Sequence, residues 1–65
     1  MATKLREGTP IEVREYIQAC DEWFVHAGPE TPREVEHIYI VNYAGAWGRL
    51  LEAGYTPNDT DAYRA

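Results

Sequence analysis

Residues 31–54, TPREVEHIYIVNYAGAWGRLLEAG, carry an apolar surface too wide for a single neighbour. At about 100° per residue, Val35, Tyr39, Ile40, Tyr43, Ala44, Ala46, Trp47, Leu50, Leu51 and Ala53 fill roughly half of a helical wheel. An ordinary amphipathic helix buries a stripe of a little over about 100°. A half-cylinder of this width needs packing on two sides, supplied by the rest of the chain or by a second molecule.

The rest of the chain is short. Its 65 residues make one domain, residues 1–65, at a size where about 60% of the unfolded chain's surface can be buried. Eight aromatic residues build such a core economically. A hydrophobic content of 45% argues against disorder. Cys20 is the only cysteine, so no internal disulfide can brace the fold. Small extracellular domains usually depend on such braces, and the first residues lack the apolar stretch of a signal peptide. The longest run of Ile, Val and aromatic residues, Ile38 to Val41, is far too short to span a bilayer. The expected setting is the cytoplasm, with no membrane contact.

Helix start and stop signals divide the chain. Thr9-Pro10-Ile11-Glu12 and Thr31-Pro32-Arg33-Glu34 both have the form of a capping box with proline at the first helical position. Thr56-Pro57-Asn58-Asp59 is a weaker copy, with aspartate in the place of glutamate. These signals predict an all-α, three-helix domain: a helical hairpin over about 10–27 and 32–53, then a short C-terminal helix, behind a polar lead-in over residues 1–8. The first helix has an apolar face of Val13, Tyr16, Ile17, Cys20, Phe24 and Ala27, with Trp23 at its edge and Glu15, Gln18, Glu22 and His26 opposite. Gly28-Pro29 ends it, and the short connection makes the two long helices antiparallel. Tyr55 and Tyr63 are placed to clamp the final helix over the open side of the hairpin. The second helix has two alternatives. Gly45 and Gly48 each cost roughly 1 kcal/mol relative to alanine in a helix, which favours a break near Gly45. The β-branched and aromatic residues over 36–43 favour a strand, giving an α+β arrangement.

Chemistry is sparse. The chain has no serine, and Cys20 sits mid-stripe while His26 points to the far side of the same helix. Cys20, His26 and His37 lack the paired spacings of a zinc site. There is no phosphate-binding loop, dinucleotide fingerprint or calcium loop. The sequence predicts no enzyme, no catalytic residue, no metal and no cofactor.

Charge remains. Eleven acidic against six basic residues give a formal net charge of −5, which disfavours nucleic acid and anionic membranes as direct ligands and favours a basic protein partner. An antiparallel hairpin gathers Asp21, Glu22, Glu30, Glu34 and Glu36 at one end as a partner-binding patch. Glu7, Glu12, Glu15, Glu52, Asp59 and Asp61 form a second patch at the other. Acids near helix N-termini complement the helix dipole, which accounts for Glu12, Glu34 and Glu36 but not for Asp21 and Glu22. In size, acidity and scarcity of cysteine the chain resembles the small phage-encoded anti-CRISPR proteins and, more broadly, acidic DNA-mimic inhibitors. That resemblance implies occlusion in a bacterial host's cytoplasm, with carboxylates standing in for phosphates in the basic groove of a CRISPR effector subunit. A monomer or weak homodimer fits this role. The alternative is a dimeric or adaptor domain that uses the wide apolar face of the second helix, with Trp23 and Trp47 as interface aromatics.

Overall fold

The computed structural model describes residues 4–26 and 28–65. The chain forms two antiparallel α-helices, α1 (Ile11–His26) and α2 (Arg33–Glu52), followed by a 3₁₀ helix, Pro57–Tyr63. Among the described residues there is no strand; the one β-type feature is an isolated antiparallel bridge between Leu5 and Arg64. The fold is therefore all-α, and residues 36–43 are helical. Nor does α2 break at Gly45, since it runs uninterrupted for 20 residues. Both of its glycines face outward, where the loss of propensity is offset by the packing of the opposite face.

Helical phase explains the wide apolar surface of α2. Tyr39, Tyr43, Ala46 and Leu50 make one column at spacings of 4, 3 and 4, and Ile40, Ala44, Trp47 and Leu51 make a second column beside it. The first column faces α1. His26 stacks on Tyr39 with ring centroids 4.5 Å apart, Tyr16 meets Tyr43 at 5.7 Å, and Glu15 reaches Arg49 at 3.3 Å. Ala46 and Leu50 are fully enclosed there. His26 thus turns toward α2 and not away from it, because the crossing brings Tyr39 alongside the last turn of α1.

On α1 the stripe Val13, Ile17, Cys20 and Phe24 repeats the same spacing, and its burial falls along its length. Val13 and Ile17 are enclosed, Cys20 is partly covered, and Phe24 is 87% exposed. The sequence pattern places Phe24 in the core, but the cover ends before reaching it. Ala27, assigned to the same face, lies outside the described residues. The cover consists of Leu5, Tyr55 and Tyr63, packed against a core of Val13, Tyr16, Ile17 and Leu50. Leu5 belongs to the expected polar lead-in, whose other described residues, 4 and 6–8, are exposed while Leu5 packs against the core. Arg6 donates its N–H to the Tyr63 carbonyl at 2.8 Å, and Ala65 donates to the Lys4 carbonyl at 3.0 Å. Gly8, at φ 82°, turns the segment back into α1.

The threonine caps fall out in an unexpected order. Only the weakest signal closes as a box: Thr56 accepts from the Asp59 N–H, and the Asp59 carboxylate accepts from the Thr56 N–H. The Thr31 hydroxyl is used between helices, accepting from the Gly28 N–H and donating to the His26 carbonyl, so α2 starts at Pro32 without a side-chain cap. Thr9 likewise donates back to the Arg6 carbonyl. In both places the hydroxyl satisfies an orphan carbonyl upstream.

Candidate functional site: the open half of the hairpin

Among the described residues the second column of α2 is only partly covered. Ile40 and Trp47 are each 40% exposed and Leu51 is 53% exposed, while the Trp47 ring leans on Tyr43 at 5.6 Å. Ala44 is exposed between them, and a Cβ added to the neighbouring Gly48 would meet nothing within 4 Å. The stripe from Ile40 to Leu51 rises about 16 Å, three helical turns. Phe24, with Val25 beside it, is exposed on the unfilled end of α1's stripe, and Ile38 and Val41 are exposed on the outer side of α2. Scattered exposed apolar residues are ordinary, whereas these form a continuous row at helix-packing spacing.

At the N-terminal end of this row, Arg33, Glu34, Glu36, His37 and Ile40 line a shallow depression of about 530 Å³. Two carboxylates, a guanidinium, an imidazole and an aliphatic side chain thus share one concavity. Glu22 lies elsewhere. It lines a polar groove of about 250 Å³ between the two helices with Glu15, Gln18, Asn42 and Arg49, floored by Ala19 and Ala46. The first acidic group is therefore distributed: Glu34 exposed and Glu36 half-buried in the first turn of α2, Glu22 in the groove, and Glu30 exposed in the connection. Asp21 is half-buried on α1, one turn from Phe24.

The second acidic group is largely engaged locally. Glu15 pairs with Arg49, Asp59 closes the cap of the 3₁₀ helix, and Asp61 lies 3.7 Å from Arg64. Glu12 occupies the first turn of α1, Glu7 is exposed in the turn before it, and Glu52 ends α2. Trp23 is half-buried and Trp47 belongs to the open row. Sequence reasoning found Ile40, Ala44, Trp47 and Leu51 as part of a wide face, but did not separate the outer column from the inner. Both columns have the same 4-3-4 spacing, so periodicity alone carries no signal that tells one from the other.

The buried polar cluster is structural. The Tyr16 and Tyr43 hydroxyls approach to 3.4 Å, a long hydrogen bond. Burial first, then the hydrogen bonds to Tyr43 and Cys20, push the Tyr16 hydroxyl well above the ordinary tyrosine range. Burial also pushes the Cys20 thiol up, against a hydrogen bond to Tyr16 that pulls it down. A raised thiol is a weak nucleophile at neutral pH. Among the described residues no three His, Cys, Asp or Glu side chains group to hold a metal ion, and no helix is long and apolar enough to cross a membrane. Comparison with protein-family models, curated proteins and solved structures gave no match.

Proposed function

We propose that this chain is a protein-binding domain whose docking surface is the open apolar row of α2 with its acidic end. The observation that carries this reading is the continuous exposure of Ile40, Ala44, Trp47 and Leu51 beside a core that uses only the adjacent column. Leaving such a row in water forgoes about 25 cal/mol for each Å² of apolar surface that a neighbour would cover. Aromatic anchors among smaller side chains are the usual centre of a protein interface.

A second reading is the acidic inhibitor that occupies a basic, nucleic-acid-handling groove, of the kind the anti-CRISPR resemblance implies. It is supported by Glu22, Glu30, Glu34 and Glu36, which make no ion pair among the described residues. The two readings converge on a basic partner and differ in which residues hold it. Capture from bacterial lysates containing CRISPR effector complexes, with low- and then high-salt washes, separates them when run on two variants. I40S/L51S should lose the partner if the apolar row holds it. A charge reversal of Glu22, Glu30 and Glu34 to Lys should lose it, with strong salt dependence, if the carboxylates do. Retention by I40S/L51S at full strength overturns the first reading.

A further inference from the structure

We infer that the open half of the hairpin takes a basic amphipathic helix from a partner protein, its apolar stripe against Ile40, Ala44, Trp47 and Leu51 and its Lys or Arg margin against Glu34 and Glu36. This rests on the docking reading above and adds the chemistry of the occupant. The row's 4-3-4 spacing is that of a seam between two helices, since residues so placed stay on one side over several turns. Its length of about 16 Å matches three turns of a partner helix. Beside it, Gly48 leaves open space for a close backbone approach, and the exposed Phe24 marks the missing half of the layer that Leu5, Tyr55 and Tyr63 begin.

Charge selects the occupant. Glu34 and Glu36 flank a depression that Arg33, His37 and Ile40 also line, and together with the chain's net charge of −5 they favour a cation on a long aliphatic stem. A second copy fits less well. A parallel pair sets Glu34 and Glu36 against their own equivalents. An antiparallel pair turns them toward the Glu52 and Asp59 end, with Arg33 as the cation on that margin. Each copy also carries a net charge of −5.

The test uses the full chain and two synthetic helical peptides of about five turns with one leucine stripe, flanked by lysine in one and by glutamate in the other. Backbone amide shifts locate the contact, and sedimentation reports the stoichiometry. The lysine peptide is expected to bind one to one and to shift the amides around Ile40, Trp47 and Leu51. It should weaken at least about tenfold in E34K/E36K and in high salt, as exposed charge pairs do. It should also weaken in I40S/L51S, which leaves the charge intact. Equal binding of the glutamate peptide, or a salt-insensitive dimer abolished by I40S/L51S, overturns the basic occupant and leaves the docking surface standing. If neither peptide nor a second copy perturbs the row, both inferences fail.

Discussion

Phe24 and Ile17 share one stripe of α1, yet they have opposite energetic weights. Ile17→Ala is expected to cost about 2–5 kcal/mol, because it opens a cavity beneath Leu50 and Val13. Phe24→Ser should stay within about 0.5 kcal/mol by urea unfolding, because the ring has little to lose. The sequence cannot separate the two, since periodicity specifies a face and not how far along it the cover extends. Tyr16 shows the reverse: its place in the core was legible, but its link to Tyr43 depends on where two helices cross. With its folded pKa raised above the ordinary 10.0, Tyr16 contributes stability that is complete below the unfolded value. That contribution is lost as pH rises into the alkaline range, because the unfolded chain gives up its proton first. Urea unfolding from neutral to strongly alkaline pH should show this decline, and it should be shallower in Tyr16→Phe.

Helix existence was legible from proline-threonine punctuation and periodicity, whereas the fate of each cap was not. Thr9 and Thr31 have the letters of a capping box, but their hydroxyls are turned upstream, Thr9 to the Arg6 carbonyl and Thr31 to the Gly28 N–H and the His26 carbonyl. The box at Thr56 is formed, so Thr56→Ala should cost about 1 kcal/mol. The loss should appear first as weakened near-ultraviolet dichroism from Tyr55 and Tyr63, whose rings meet edge-on at 6.4 Å. The two glycines of α2 raised the prospect of a break because propensity was weighed without knowing which side they face. With open space at its Cβ position, Gly48→Ala should stabilise the free protein by roughly 0.5–1 kcal/mol in thermal unfolding. The same methyl should weaken partner binding if Gly48 lies under an approaching helix.

The whole molecule is a plate, 35 × 24 × 16 Å. Its radius of gyration of 12.2 Å exceeds the roughly 11 Å expected of a compact chain this long. A thickness of 16 Å holds little more than one and a half helical layers, which is the two-sided demand of α2 met on one side. The demand was legible in residues 31–54; which side would remain open was not, because that depends on where Leu5 and the C-terminal segment come to rest. The acidic patches were legible as letters and dispersed by the fold, with Glu22 lining the groove between the helices and Glu36 the depression at the start of α2. At a net charge of −5 the folded state repels itself, so added salt should raise the melting temperature by a few degrees.

The bridge between Leu5 and Arg64 sets an order of events. Its two residues are about as far apart along the chain as two described positions can be, and closing such a loop costs about 3–4 kcal/mol of entropy before any return. The α1–α2 hairpin, made from near neighbours in sequence, can assemble first and shorten that distance. Until Tyr55 and Tyr63 are in place, Val13 and Ile17 are without the cover these rings supply, so the bridge is expected to close after the hairpin.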